Sequence, residues 1–264
     1  MSSGGPLRME DLRAFYGFML YEVPLLGSAG ARNLTIVGGA RDRVTAIVGG
    51  RTVDSVWRGD LEGCAENVSM LLPLADPSGV SDETDRTLQL LVEVTGRLAY
   101  GIQMQSDALI GKGLVGGAVL LDGVPLAGPW KHWALPLDSE QLQRWPTARS
   151  VGSLSNGSNG SIDGIATAFS APQLFEGVFE IGAGDEPADC WAHFERESGW
   201  RKGQLYVNGF FQGRMWAARG PRTALFIHGP RLRKGRNMLR VVELEPKEGM
   251  AAAGATLELR GSGA

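Results

Sequence analysis

Short stretches in which apolar and polar residues alternate recur along the chain, and most of them end in Gly, Pro, Asn or Asp. Alternation with a period of two is typical of half-buried β-strands, and the turn-forming residues mark where each strand ends. The pattern predicts an all-β fold; the best helical pattern is the short segment Asp138–Trp145. The predicted strands are LTIVGG, VTAIVGG, SMLLPL, TLQLLVEV, LAYGIQM, GGAVLLDG, HWALPL, LFEGVFEI, CWAHFE, GQLYVNGF, TALFIHG, MLRVVELE and ATLELRG.

One sequence unit occurs three times: an apolar strand, a Gly-Gly, Asp-Gly or Asn-Gly pair, and a Trp seven residues after the second glycine of the pair. Such pairs suit the type I′ turn, whose two central residues both have positive φ, so each unit is predicted to be a β-hairpin. The fixed odd offset predicts that the three tryptophans occupy the same face. The units are AIVGGRTVDSVW (Ala46–Trp57), VLLDGVPLAGPW (Val119–Trp130) and LYVNGFFQGRMW (Leu205–Trp216).

A stretch rich in Ser, Gly and Asn divides the strands into two groups. The residues of Ser150–Ser161, SVGSLSNGSNGS, have little apolar surface to bury and are typical of a flexible linker. We therefore predict a first β-sandwich domain at residues 1–149, a linker at 150–163 and a second sandwich at 164–264. The N-terminal 14 residues are expected to be flexible, and the tail from about residue 250 is expected to be loose.

Composition restricts the class of protein more than its function. The charged fraction of 21% and the hydrophobic fraction of 43% are those of a globular protein, and no apolar run reaches the length of a membrane span. No signal peptide is visible, so the compartment is left unknown. Four sequons for N-glycosylation, at Asn33, Asn67, Asn156 and Asn159, are either accidental or indicate a secretory ancestor or precursor.

Several motifs in a fixed order resemble the C-terminal region of family 35 β-galactosidases. They include GWRKGQLYVNGFFQGRMWAARGPRTALFI (Gly199–Ile227), RKGRNMLRVVELE (Arg233–Glu245) and, in the first half, YGFMLYE and GKGLVGGAVLLDG. The resemblance implies two galactose-binding-like jelly-roll β-sandwiches. In that family the catalytic glutamates lie on a separate (β/α)8 barrel, which nothing in this sequence resembles. We therefore assign no catalytic residue and no cofactor. No metal ligand is assigned either, because His132, His193 and His228 have no metal-ligand spacing.

The resemblance directs the search for a carbohydrate site to the second half of the chain. The candidate ligand-binding residues are Trp200, Asn208, Phe211, Arg214 and Trp216, because aromatic rings stack on sugars and amides hydrogen-bond to them. The sequence leaves two roles open for the tryptophans, in the core or against a ligand. Phe211, Gln212 and Met215 depart from the family pattern, so sugar binding at this place is an expectation to be tested.

Charged residues add further candidates. Residues 196–240 contain eleven Lys or Arg and one Glu, a net charge of +10. Such a surface suits a phosphate or an acidic partner. Among the acids, Glu243 and Glu245 are expected on a solvated strand face, and Glu93 is expected to pair with Arg97. The predicted basic face comprises Arg219, Arg222, Arg231, Arg233, Lys234 and Arg236.

Three functions follow from these features. The first is a non-catalytic, carbohydrate-associated accessory module that binds galactosides or docks on a glycosidase barrel. The second is a structural subunit of a larger protein or protein–RNA assembly, which the basic face would contact. The third is part of an active β-galactosidase that hydrolyses terminal β-galactosides, with its catalytic glutamates outside this chain.

Overall fold

The computed structural model forms two compact units, Met1–Leu137 (unit 1) and Asp138–Ala264 (unit 2). The structure describes residues 1–25, 30–57, 67–73, 87–97, 111–137, 140–141, 153–154, 161–162, 171–194, 199–217, 219–220, 223–246 and 255–261. Single turns of 3-10 helix lie at Glu10–Leu12 and Gly229–Arg231. Glu140 and Gln141 are helical, and the rest of the predicted helix Asp138–Trp145 lies outside the described residues.

Strands make up most of the regular structure of both units. Those of unit 1 are β1 (Ser2–Ser3), β2 (Phe18–Pro24), β3 (Ala31–Ile36), β4 (Ala40–Arg41), β5 (Arg43–Val48), β6 (Arg51–Trp57), β7 (Val68–Pro73), β8 (Thr87–Glu93), β9 (Gly113–Leu114), β10 (Val119–Leu121), β11 (Val124–Pro125) and β12 (Trp130–Leu135). Those of unit 2 are β13 (Ser153–Leu154), β14 (Ser161–Ile162), β15 (Gln173–Ile181), β16 (Cys190–Phe194), β17 (Gly203–Val207), β18 (Phe210–Met215), β19 (Ala224–Ile227), β20 (Gly235–Glu243) and β21 (Ala255–Gly261).

Unit 1 is a sandwich of two sheets around one core. The larger sheet has the order β1-β12-β2-β8-β5-β6, the smaller one has the order β11-β10-β3-β7, and β4 pairs with β9. Leu88, Leu90 and Val92 of β8 are fully buried while the residues between them are half-buried, as the two-residue period requires. They belong to the same buried cluster as Leu34 and Ile36 of the smaller sheet.

The described residues of unit 2 form a similar arrangement of two sheets. Its sheets have the orders β13-β15-β20-β17-β18 and β14-β21-β16-β19. Leu205 and Leu239 of the first sheet share a buried cluster with Phe194 and Ile227 of the second. The prediction of an all-β fold with two β-sandwiches is therefore confirmed.

The three turns predicted from Gly-Gly, Asp-Gly and Asn-Gly all have the type I′ signature. Gly49 and Gly50 have φ of 58° and 73°, and the residues on either side of them pair directly across β5 and β6. Asp122 and Asn208 have φ of 50°, a left-handed conformation that Asp and Asn tolerate better than most side chains. These hairpin turns are confirmed.

The prediction that the three tryptophans occupy the same face is wrong, and β-bulges are one reason. In β6 and in β18 the register shifts three residues after the turn glycine, at Val53 and at Gln212. One extra residue reverses the alternation beyond it. Met215 consequently fills the core with no exposed surface, and the next residue, Trp216, lies on the other face and is only half-buried.

The third repeated sequence, Val119–Trp130, departs from the prediction for a different reason. Its hairpin β10–β11 is so short that the chain crosses to the larger sheet before Trp130, which begins β12. Trp130 is fully buried there and its indole N–H donates to the carbonyl of Leu126 at 3.2 Å. Trp57 is half-buried at the end of β6. Only Trp130 of the three is therefore a core residue.

The segments that we expected to be flexible contain paired strands. Near the N-terminus, β1 pairs with β12, Met9 is fully buried, and the Glu10 carboxylate accepts hydrogen bonds from the Arg97 side chain at 2.8 Å and the Lys112 N–H at 2.9 Å. Within the expected linker, β13 pairs with β15 and β14 pairs with β21. The expected loose tail contains β21, which pairs with β16. These segments pair with strands that are distant in the sequence, and the composition of a segment does not show whether it has such a partner.

Candidate functional site

Trp200, the first candidate ligand-binding residue, lies in the core of unit 2. It is only 1% exposed and its ring meets those of Phe175 and Phe194 edge-to-face, with centroids 5.2 and 5.6 Å apart. These separations are typical of stabilising aromatic contacts. Trp200 is therefore a structural residue and not part of a binding surface.

Asn208 is held in place by the fold. Its Nδ2 donates to the carbonyl of Arg231 at 2.8 Å and to Oδ1 of Asn237 at 2.9 Å, and its Oδ1 accepts the N–H of Met238 at 2.9 Å. Asn237 in turn accepts the N–H of Arg233. The Asn208 amide thus fastens the hairpin turn to the segment around residue 231, and most of its hydrogen-bonding capacity is already used.

Trp216 faces two cations of its own unit. The Lys202 Nζ lies 4.5 Å and the Arg219 guanidinium carbon 5.2 Å from the Trp216 ring centroid, both within the range of cation–π contacts. Lys202 is 1% exposed, so its aliphatic stem and charge are packed against the ring inside the protein. These contacts give Trp216 a structural role and leave less of its ring for a ligand.

Phe211 is exposed and contacts the half-buried Arg214, and a second phenylalanine–arginine pair starts at the adjacent residue, Phe210. The Arg214 guanidinium carbon is 5.3 Å from the Phe211 ring centroid, and that of Arg231 is 4.1 Å from the Phe210 ring centroid. Phe210 and Phe211 are 45% and 48% exposed on the edge strand β18. We call these two neighbouring pairs the aromatic–arginine cluster. Phe210 was not among the sequence candidates, although its place beside the Asn-Gly turn was a signal for it.

The residues of the predicted basic face make separate local contacts. Arg219, Arg231, Arg233, Lys234 and Arg236 are exposed, and Arg222 lies outside the described residues. Lys234 forms an ion pair with Glu186 at 2.5 Å, and the Arg233 side chain donates to the carbonyl of Arg236 at 2.9 Å. The ion pair with Glu186 partly offsets the charge of Lys234, whereas the hydrogen bond to a carbonyl leaves Arg233 charged.

Glu243 was expected on a solvated strand face, and that prediction is wrong. The side chain has no exposed surface, and its carboxylate accepts the backbone N–H groups of Arg201, Lys202 and Glu245 at 3.1, 3.0 and 2.9 Å. Burial raises the pKa of Glu243 to about 7, although the three hydrogen bonds act in the opposite direction. Glu243 therefore connects the end of β20 to the segment that leads into β17.

The expected pairing of Glu93 with Arg97 is also wrong. Arg97 binds the Glu10 carboxylate and donates to the carbonyl of Phe15 at 2.9 Å. A largely buried ion pair of unit 1 joins Lys112 to Asp42 at 2.6 Å, and Asp42 also accepts the N–H and hydroxyl of Thr95. Sequence separations of 53 and 70 residues explain why no local pattern indicated this cluster.

Within the part of the chain that the structure describes, no group of three or more His, Cys, Asp or Glu side chains could hold a metal ion. The helices there do not include one of sufficient length and apolarity to cross a membrane. The described residues therefore form two β-sandwiches in which Trp200, Asn208 and Trp216 make structural contacts.

Comparison with known proteins defines the family. Residues 6–136 match the family model "Beta-galactosidase, first all-beta domain", and residues 172–237 match "Beta-galactosidase, galactose-binding domain". Beta-galactosidase 1 of Dictyostelium discoideum is 28% identical over 92% of this chain and 33% of its own length. Beta-galactosidase 17 of Arabidopsis thaliana is 32% identical over 93% of this chain and 33% of its own length.

The chain belongs to the accessory, galactose-binding-like β-sandwich region of the family 35 β-galactosidases. It spans about a third of the length of the curated relatives that it matches. Among solved structures, the apo form of the Pleurotus ostreatus lectin aligns with 98% of this chain and 76% of its own at 12% identity, but the TM-score is 0.28. That similarity is too low to bear on function. None of these comparisons supports an RNA partner.

Proposed function

We propose that this chain is a non-catalytic, carbohydrate-associated module that docks on the glycosidase barrel of a β-galactosidase. The single observation that carries the proposal is that this chain matches both accessory-domain models and spans only about a third of the length of its β-galactosidase relatives. In this function the catalytic glutamates are supplied by the barrel, and the complete protein hydrolyses terminal β-galactosides.

The geometry of the candidate residues favours docking over an independent sugar site. Trp200 is in the core, and the Asn208 amide is used within the hairpin. The Trp216 ring is in contact with Lys202 and Arg219. A sugar site needs exposed aromatic faces and unoccupied polar groups that converge on one place. Three of the five candidates therefore support the fold more than a ligand.

The direct test is to isolate the native gene product with an antibody against residues 171–246 and to determine its composition by mass spectrometry. We expect a glycosidase barrel in the purified material, either on the same polypeptide or as a bound partner. The purified material should hydrolyse a chromogenic β-galactoside, and the 264-residue chain alone should not. Native material that contains this chain without a barrel would contradict the proposal, and turnover by the chain alone would contradict the non-catalytic role.

A second candidate, direct galactoside binding, is favoured only by the exposed aromatic–arginine cluster. Phe211 presents about half of its surface beside Arg214, an arrangement that can stack on a sugar and donate hydrogen bonds to it. This function is tested by titrating galactose and lactose into the wild type and the Phe211→Ala variant and measuring the heat of binding by calorimetry. Saturable binding that the variant loses would support this function, and equal titrations of both proteins would count against it.

A further inference from the structure

Two of the four sequons lie on neighbouring strands of unit 1. Asn33-Leu34-Thr35 is part of β3, and Asn67-Val68-Ser69 leads into β7. Because side chains alternate in a strand, the asparagine and the hydroxyl residue of a sequon share one face while the residue between them points to the other. Leu34 is fully buried and Val68 is 3% exposed, both in the core. The two sequons therefore present their acceptor and hydroxyl groups away from the core.

The two sequons are also in register with each other. Thr35 lies directly opposite Ser69 in the antiparallel pair β3–β7, with 3.4 Å between their hydroxyl oxygens. Asn33 and Asn67 are both exposed. The side of this sheet that faces away from the core thus carries two asparagine acceptors, one on each side of a central pair of hydroxyl residues.

The atoms that a glycan would modify are compatible with the contacts of both asparagines. The Asn67 Oδ1 accepts the N–H of Gly38 at 3.0 Å, and this oxygen keeps its lone pairs when Nδ2 becomes substituted. The Asn33 backbone N–H donates to the Asp122 carboxylate at 2.7 Å, and the Asn33 carbonyl accepts the Asp122 N–H at 2.8 Å. Those bonds fix the Asn33 backbone and do not involve its side-chain amide.

An exposed apolar residue lies beside the first acceptor. Leu71 is 62% exposed on β7 and is the direct cross-strand partner of Asn33. Directly opposite side chains in an antiparallel pair lie about 5 Å apart, within reach of the first sugar of a glycan on Asn33. A glycan there would cover an aliphatic side chain that otherwise lies in water.

We propose that Asn33 and Asn67 are N-glycosylation sites and that the glycans cover this face of the smaller sheet of unit 1. In the modification, the asparagine Nδ2 forms a bond to the anomeric carbon of a lipid-linked oligosaccharide. The bond from that carbon to the pyrophosphate breaks, the lipid pyrophosphate leaves, and the amide proton passes to a base of the transferase. The proposal requires passage through the secretory pathway, where the transferase acts, and it directs any docking partner to another face.

The test uses the native gene product, digested and treated with peptide N-glycosidase in oxygen-18 water. The enzyme converts a glycosylated asparagine into a labelled aspartate, so we expect labelled aspartate at positions 33 and 67. Unlabelled asparagine at either position in the native product would overturn the proposal. Because this readout does not depend on a barrel, its failure is separate from a failure of the proposed function.

Variants of the chain, secreted from eukaryotic cells, test the role of the covered face. Asn33→Gln and Ser69→Ala should each remove one glycan, whereas Thr35→Ser and Ser69→Thr keep the sequons and should keep both glycans. The Asn33→Gln variant should bind more of a hydrophobic dye than the wild type, and Asn33→Gln combined with Leu71→Ser should return to the wild-type level. Equal dye binding by the wild type and Asn33→Gln would contradict the shielding of Leu71.

Discussion

Unit 1 and unit 2 each end their larger sheet with a hairpin whose edge strand, β6 or β18, has a bulge three residues after the turn glycine. In both, the bulge moves the tryptophan out of the core and beside a buried cation. Trp57 is the cross-strand partner of Arg43, and Trp216 lies against Lys202. Arg43 and Lys202 are 3% and 1% exposed. Two sequences with little else in common thus build the same local arrangement.

The two units differ in the buried polar groups that hold their segments together. Unit 1 uses an ion pair between Lys112 and Asp42 and the buried ring of His132, whose Nε2 accepts the N–H of Leu7 at 3.1 Å. Unit 2 uses the carboxyl of Glu243 with three backbone N–H groups. Protonation of a buried histidine and ionisation of a buried carboxyl both lower stability. Unit 1 should therefore lose stability as the pH falls and unit 2 as the pH rises, although both contain the same bulged hairpin.

The largest expected effect is the difference in stability loss between substitution of the buried Trp130 and of the half-buried Trp57. Trp130→Ala should lower the free energy of unfolding by about 4 kcal/mol, because it leaves a cavity in the core of unit 1. Trp57→Ala, at the same offset from its turn but half-buried, should cost about 1 kcal/mol. Chemical denaturation followed by circular dichroism measures both. Equal losses would contradict the conclusion that the bulge changes the role of the tryptophan.

The next effect is the pH dependence of unit 2. The folded state holds the Glu243 proton up to a pKa of about 7, whereas the unfolded chain releases it near the ordinary value of 4.5. The folded state therefore binds more protons between these values, and the free energy of unfolding should fall by about 3 kcal/mol as the pH rises from 4.5 to 7. Glu243→Gln should flatten this slope in denaturation curves recorded across the range. An unchanged slope would exclude Glu243 as its source.

The free energy of unfolding of unit 1 should depend on pH in the opposite direction. Burial lowers the pKa of His132 below its ordinary value of 6.5, and a protonated ring could no longer accept the N–H of Leu7. The unfolded chain then binds more protons just below pH 6.5, so this contribution to stability is present above that pH and is lost on acidification. His132→Gln should remove it, as measured by hydrogen exchange of the Leu7 amide. An acid-induced loss of protection that persists in the variant would contradict this role.

The smallest effect compares the two turns. Asn208→Gly keeps the left-handed conformation but removes three side-chain hydrogen bonds, which should cost about 1–2 kcal/mol. Gly49→Asn in unit 1 should change stability by less than about 0.5 kcal/mol, because nothing lies within 4 Å of an added Cβ and Asn tolerates positive φ. Thermal unfolding of both variants is the measurement. A larger loss for Gly49→Asn would reverse this comparison.

Local features of the sequence were sufficient for the fold class and for the hairpin turns. The two-residue period of apolar side chains predicts strands, and the pairs Gly49-Gly50, Asp122-Gly123 and Asn208-Gly209 predict type I′ turns, because both depend on residues that are adjacent in the chain. The family motifs likewise identified both sandwiches. The same local reasoning could not place the candidate site, since burial of Trp200 depends on Phe175 and Phe194 from other strands.

Tertiary structure decided which side chains face the core, which are anchors and which remain at the surface. The bulges at Val53 and Gln212 arise from pairing with β5 and β17, and a shift of one residue reverses every side chain beyond it. Glu243 is buried because the N–H groups of residues some 40 positions earlier meet its carboxylate. The sequence by itself therefore determined the strands and their turns, whereas nonlocal pairing determined the environment of each functional candidate.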